Sequence, residues 1–364
     1  MTIEKTNTTT ILETGFKFKR LQALIPLLLI GLGVGLPILF LNRYAEQITP
    51  ILDLFRQINT VDLLFIIPFW LLWLATQIAQ FTLAYRLIGI PARLRQLAEI
   101  TIGNHFVNLF LPSGNLSTFA LFAWHATRRG WPAGRTPFAL VLFALAQYAS
   151  LSLLIVISFL ILPPDTPLFA VGLSAGAALI GGTIVSWIIF LTYIFKREWF
   201  NLIWRLAEML PFRIAERFSN HPLSQQGFEA ISAAQEAIRK ADRTLWLQFI
   251  GSTILNRIAY FLLIWGCGQA FDLTLPFEGI VSASGVGVLF TAVSPIPMGV
   301  GFAESGIAIA LSQFNISLSG ATAIAVLSRG FTLWLTVLVG GLLLLRMGIG
   351  AFTATWSDGA QTQD

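Results

Sequence analysis

Apolar residues in this chain gather into long unbroken runs rather than alternating with polar ones. Six runs reach the roughly 20 residues that a helix needs to cross a hydrocarbon core: Leu21 to Leu41, Leu63 to Ala84, Thr136 to Leu162, Leu168 to Phe195, Leu245 to Phe271 and Ser319 to Leu345. Two further stretches, Ile100 to Trp124 and Gly279 to Leu311, are interrupted by polar residues, prolines and glycines. Backbone in lipid has to satisfy its own hydrogen bonds, and a helix does this within one segment. The pattern therefore predicts an all-α, polytopic membrane protein.

The charges between runs give an orientation. Lys17, Lys19 and Arg20 precede the first run, whereas Asn42 to Asp62 sets only Arg43 and Arg56 against Glu46, Asp53 and Asp62. The positive-inside bias places the N-terminus in the cytoplasm. The second run returns to Arg86, Arg93 and Arg95, and the first interrupted stretch ends at Arg128, Arg129 and Arg135. A full crossing would carry those three arginines outside; a re-entrant hairpin returns them to the same side. Pro163 to Pro167 then reads as external, the eight Lys and Arg of Lys196 to Arg243 as cytoplasmic, and acidic Asp272 to Glu278 as external. The last run ends at Arg346, so the C-terminus is also cytoplasmic.

In this order the chain reads span, span, hairpin, span, twice over. The prediction is six full spans and two re-entrant helical hairpins in an inverted-topology repeat. Residues 1–20 form a tail, 21–346 a single membrane domain with halves 21–162 and 168–346, and 347–364 a second tail. Transporters built this way place the substrate where the broken helices of the two halves meet. The alternative is two kinked but ordinary spans, giving eight crossings.

The polar loop 196–243 sits in the second half. Trp199, Phe200, Ile203, Ala207 and Leu210, then Phe228, Ile231, Ala234 and Ile238, recur at helical spacing, which predicts two interfacial amphipathic helices. Composition agrees with a membrane solvent: 55% hydrophobic, 11% charged, mean hydropathy +0.75. The net charge of +5 is spread over short loops, so nucleic acid is not a partner. Cys267 is the single cysteine, which leaves neither a disulfide nor a thiolate metal site.

Polar residues inside the apolar stretches are the candidates for function. The first interrupted stretch carries His105, Asn108, Pro112, Gly114 and Asn115, amide and imidazole groups that need partners at membrane depth. The second carries Pro297, Gly299, Gly301 and Glu304. Its prolines end one half-helix, the glycines allow a tight turn, and Glu304 begins the next half-helix, where the macrodipole favours a carboxylate. Glu304 reads either as a helix-terminus stabiliser or as a ligand, proton or cation group. Arg329 and Arg257, the latter after Asn256, fall in the middle of spans, where a guanidinium is costly and usually functional. Two arginines against one glutamate leave a positive excess that suits a phosphate headgroup. Gln77, Gln80 and Gln147 read first as interhelical hydrogen bonds. No catalytic motif, metal-ligand spacing or nucleotide loop occurs, and no cofactor is implied.

The segment Ser294 to Gly306, with Arg329 and Trp334, resembles the flippase-like membrane domain of lysylphosphatidylglycerol synthases. The family's Pro-rich turn, Gly-x-Gly, Glu and final-helix Arg are matched by Pro297, Gly299, Gly301, Glu304 and Arg329, and Asn108 to Gly114 matches in the first half. The resemblance covers nearly the whole chain. It implies an inner-membrane domain that moves lipids between leaflets. The synthases add a soluble aminoacyl-transfer domain that does not follow here, so lysylphosphatidylglycerol synthesis is not expected. Thr118 and Leu121 stand where the family commonly has an acidic residue and an Arg, and Gln147 where an Arg is common.

The leading expectation is a flippase for a lipid or lipid-linked saccharide with a phosphate-bearing headgroup, in the cytoplasmic membrane. It would work by alternating access between the two halves. Arg257 and Arg329 would hold the phosphate, Glu304 would answer them, and Asn256, His105, Asn108, Asn115 and Gln147 would be the other substrate-binding residues. Two rivals remain: an embedded transferase using His105 and Glu304 as acid and base, and a membrane partner of a separately encoded glycosyltransferase. A homo-oligomer is compatible with either.

Overall fold

The computed structural model describes residues 45–58, 60–110, 116–163, 167–195 and 222–348. The first apolar run, the amphipathic stretch Trp199 to Leu210, the N-terminal tail, residues 349–364 of the C-terminal tail, and Pro112, Gly114 and Asn115 lie outside these residues. Among the described residues every regular element is helical.

Helix α1 (Ala45–Gln57) belongs to the N-terminal unit. Ile48, Ile51, Leu52 and Phe55 recur at the helical period, a signal passed over when this stretch is read as a loop between spans. An exposed Arg56–Asp53 ion pair at 3.0 Å adds little to it.

The remaining described residues form one helical unit. Helix α2 (Thr60–Leu87) is followed by two arms, α3 (Leu94–Phe110) and α4 (Leu116–Arg128). A 3-10 turn, Ala133–Arg135, leads into α5 (Thr136–Ile161). Next come α6 (Pro167–Phe195), the amphipathic α7 (Pro222–Lys240) and α8 (Arg243–Gln269). A second pair of arms, α9 (Phe277–Val293) and α10 (Phe302–Ser312), brackets the 3-10 turn Pro297–Gly299. Finally α11 (Leu318–Arg329) runs through a π-helical segment, Gly330–Leu335, into α12 (Thr336–Met347).

Among the described residues four helices are long and apolar enough to cross a membrane: α2, α5, α8 and the continuous Leu318–Met347 rod. They coincide with four of the six runs read from sequence, and α6 coincides with a fifth. The arms are shorter. At 1.5 Å per residue, 11 to 17 residues extend roughly 16 to 25 Å, less than a hydrocarbon core of about 30 Å. Large apolar side chains point outward on the long helices, among them Leu160, Leu247 and Leu345, as lipid contact demands.

Interior packing pairs elements distant in sequence. Helix α2 lies along α8, and the contact carries polar ties: Gln80 Nε2 donates to Thr253 Oγ1 at 2.6 Å, and Asn256 Nδ2 to Thr76 Oγ1 at 2.9 Å. Such ties hold helices together where the hydrophobic effect offers no discrimination. Arm α3 packs on α12, where a Cβ on Gly340 would stand 2.5 Å from the carbonyl oxygen of Ile102. Arm α9 packs on α5, with Ser158 Oγ reaching Val281 O at 3.0 Å beside Gly285. The first arm of each pair therefore rests on the last long helix of the other half of the chain.

The predicted amphipathic character of α7 is present: Ala234 and Ile238 are buried, and the helix covers the Ala133–Arg135 turn.

Candidate functional site

The turn between α9 and α10 explains its own sequence. Ser294 accepts the amide of Ile296, Met298 adopts φ 57°, and Gly299 and Gly301 adopt φ 69° and 82°. Gly299 has a second constraint, because a Cβ there would stand 2.7 Å from the Cα of Thr291. This winding turns the Met298 carbonyl toward the last span and opens α10 with Glu304 in its first turn. Glu304 Oε2 accepts the Gly301 amide at 2.7 Å, satisfying one orphan donor of the helix end.

Arg329 closes the arrangement from α11. Its Nε donates to Glu304 Oε1 at 3.1 Å and its Nη2 to Met298 O at 2.6 Å. The side chains of this pair are 11% and 17% exposed. A carboxylate and a hairpin carbonyl are thus both engaged by the one arginine, while Glu304 serves at once as helix cap and counter-ion. Immediately after Arg329 the helix widens into its π segment, held by Thr336 Oγ1, which donates to Phe331 O and accepts from Trp70 Nε1, each at 2.9 Å. π turns of this kind are frequent at functional sites.

Arg257 has a different environment. Half-buried on α8, it donates from Nε to Ser150 Oγ at 3.0 Å and from Nη2 to Gln147 Oε1 at 2.5 Å. Gln147 Nε2 passes the chain to Gln80 Oε1 at 2.7 Å, and Gln80 to Thr253. All of these partners are neutral. No carboxylate pairs with Arg257 among the described residues, and no protein acceptor meets its Nη1 there.

The other predicted residues divide. His105 on α3 shares a hydrogen bond with Gln77 Oε1 at 3.0 Å, packs against the ring of Trp73 and lies within electrostatic reach of Arg329. Arm α3 also borders the Pro297–Gly299 turn, so the two interrupted stretches meet. Asn256 ties α8 to Trp73 O and Thr76, a structural engagement. Asn108 and Asn104 both approach the Thr118 hydroxyl at 2.9 Å, whose single proton can serve only one of them at a time. Thr118 thus organises two amides at the position where a carboxylate is common in the resembled family. Asn115, Pro112 and Gly114 lie outside the described residues.

Several contributors escape a sequence reading. The Met298 carbonyl and Ser150 carry no sequence signature as ligands. Tyr260, buried one turn after Asn256, lies within electrostatic reach of Arg329, Glu304 and Arg257. Its i,i+3 spacing from Arg257 is a signal that was available. No group of His, Cys, Asp and Glu suited to a metal occurs among the described residues.

A bundle of membrane-length helices around a buried Arg–Glu pair and a second, neutrally solvated arginine defines a polytopic helical membrane protein with an internal polar site. The chain belongs to the lysylphosphatidylglycerol synthase TM region family, whose model matches residues 24–340. No curated protein and no solved structure matches the chain.

Proposed function

We propose that this protein moves a lipid or lipid-linked saccharide with a phosphate-bearing headgroup between leaflets of the cytoplasmic membrane, by alternating access between two inverted halves. The observation that carries this reading is Arg257: a guanidinium inside the bundle, answered by amide and hydroxyl oxygens and keeping one nitrogen without a protein acceptor among the described residues. An arginine at membrane depth costs several kcal/mol unless paired or wet. With Arg329 already neutralised by Glu304, the interior carries a net positive charge that a phosphate diester would answer, and the planar fork of an arginine suits it.

The repeat supports the same reading. In chain order α2 corresponds to α8, the arms α3 and α4 to α9 and α10, and α5 to the rod formed by α11 and α12. Helices α2 and α8 pack on each other, whereas α3 rests on α12 and α9 on α5, the exchange that two halves related by a twofold axis would produce. The short arms are then re-entrant hairpins, with the N- and C-termini cytoplasmic. Movement would follow from rocking one half against the other, with the Arg329–Glu304–Met298 knot holding the second hairpin to its own half.

A transferase mechanism has less to draw on. His105 Nε2 is engaged by Gln77, and both oxygens of Glu304 are engaged by Arg329 and Gly301.

Reconstitution tests the proposal. Vesicles containing the purified chain should exchange fluorescent or native phospholipid between leaflets faster than empty vesicles, and Arg257→Gln should abolish the gain. Equal exchange rates with and without protein, across anionic, zwitterionic and polyprenyl-phosphate lipids, would remove the transport reading.

A further inference from the structure

A second basic locus lies away from the central arginines. The loop between α2 and α3 borders a cleft of about 570 Å³ lined by Arg86, Gly89, Ile90, Pro91, Ala92 and Arg93. Arg135 reaches the same loop from the start of α5, its Nη1 lying 3.7 Å from the place a Cβ on Gly89 would occupy. Its Nε is buried with no hydrogen-bond partner among the described residues. From Arg86 to Arg135 the chain has six arginines and one acidic residue, Glu99. None of the six forms an ion pair among the described residues.

The neighbouring cations are not equivalent. Arg128 donates to Met347 O at 2.8 Å and lies over the ring of Trp124, and Arg129 donates to His125 Nε2 at 3.0 Å. On α7, which covers Gly89 through Ala237, Lys240 is taken by Glu236 at 2.5 Å; the hydrogen bond between them holds that carboxyl below its usual range. Arg86 spends its Nε on Ala92 O at 2.9 Å, which braces the loop and fixes the rest of the guanidinium at the cleft.

Backbone groups do not supply the binding. The amides of Gly89, Ile90, Ala92 and Arg93 all donate within the protein, so an anion here would be held by side-chain guanidinium groups rather than by a nest of N–H groups. The cleft is shallow and open to the surface, and its volume is larger than a free phosphate fills. Leu94, half exposed at the next position, continues the rim with apolar surface. Basic pockets between helices on the cytoplasmic side are the sites that hold lipid headgroups, and the positive-inside bias puts this end of the bundle in the cytoplasm.

We propose that this cleft binds an anionic phospholipid, with Arg86, Arg93 and Arg135 gripping the headgroup phosphate at the membrane surface, separate from the Arg257 and Arg329 centre. The site would anchor the α2–α3 loop to the cytoplasmic leaflet and fix the pivot of the first hairpin. It does not depend on transport.

Thermal unfolding and native mass spectrometry of the full chain in neutral detergent test it, with phosphatidylglycerol, phosphatidylcholine and inorganic phosphate as separate probes. Phosphatidylglycerol should bind and raise the Tm, and phosphatidylcholine should not. Each arginine removed should weaken binding about fivefold, so the Arg86→Gln/Arg93→Gln double variant should bind about 25-fold more weakly. Both residues are exposed, so this variant should fold even if Arg135→Gln does not. The shift should persist in Arg257→Gln. An equal shift from inorganic phosphate would make the occupant a soluble anion and overturn the lipid assignment. Unchanged phosphatidylglycerol binding in the double variant, or its loss in Arg257→Gln alone, would overturn the site.

Discussion

Arg329 and Glu304, 25 residues apart in sequence, meet at 3.1 Å inside the bundle, and each also holds the turn between α9 and α10, Arg329 through the Met298 carbonyl and Glu304 through the Gly301 amide. The ion pair is therefore also the clasp of the second hairpin. That double role governs what substitution does.

Arg329→Leu should still insert but lose about 3–5 kcal/mol, because it strands a buried carboxylate and a carbonyl. Adding Glu304→Leu should recover part of this loss, since an apolar pair can replace a buried ion pair at little cost. Arg329→Lys should retain the ion pair but lose the simultaneous grip on Met298 O, with intermediate stability. Thermal unfolding in detergent orders the three variants. An Arg329→Leu protein as stable as wild type would show that the clasp contributes nothing.

Gln147→Glu should place a carboxylate where Arg257 Nη2 now finds an amide oxygen at 2.5 Å. The new pair should raise the Tm while abolishing lipid transport, because it removes the positive excess assigned to the headgroup at the central site. Gln147→Leu should lower stability by about 1–3 kcal/mol, leaving Arg257 short of an acceptor. Transport that survives Gln147→Glu would remove Arg257 from substrate binding.

Gly299 and Gly301 separate steric from conformational demand. Both hold positive φ, but only Gly299 has backbone within 3 Å of a would-be Cβ. Gly301→Ala should cost about 1–3 kcal/mol from backbone strain alone, and Gly299→Ala should cost more, with α9 and α10 forced apart. Equal losses on chemical denaturation would mean that the Thr291 contact relaxes freely.

Topology can be read by labelling, because the single native thiol, Cys267, is fully buried. A cysteine at exposed Thr127 should react only from the cytoplasmic side in sealed inverted and right-side-out vesicles. Labelling from outside would make α3 and α4 part of a complete crossing and break the inverted repeat.

The sequence by itself determined the membrane solvent, the helical class, the length of the main spans and the residue types that do not belong in lipid. These follow from local composition: a run of about 20 apolar residues leaves the backbone no alternative to a helix, and a mid-span arginine is conspicuous wherever it points. Glu304 and Arg329 stand out because their charges are opposite and each lies inside an apolar stretch, whereas the other acidic residues of the second half lie in its polar loops or at the ends of its spans. The amphipathic helix Ala45–Gln57 was equally legible in Ile48, Ile51, Leu52 and Phe55, but the adjoining apolar runs obscured it.

Tertiary structure decided which arginine is neutralised and which is not. Nothing in the local sequence distinguishes Arg257 from Arg329, since each lies in an apolar helix with a polar neighbour. The difference arises because the turn at Met298 carries a carbonyl and Glu304 to one of them, while α5 brings only Gln147 and Ser150 to the other. Those partners lie between 25 and 110 residues away, and the crossing of packed helices, set by close contacts such as Gly340 on Ile102 and Gly285 on Ser158, selects them. Hydrophobic patterning specifies that a helix is buried, not which of several polar groups it will face once there.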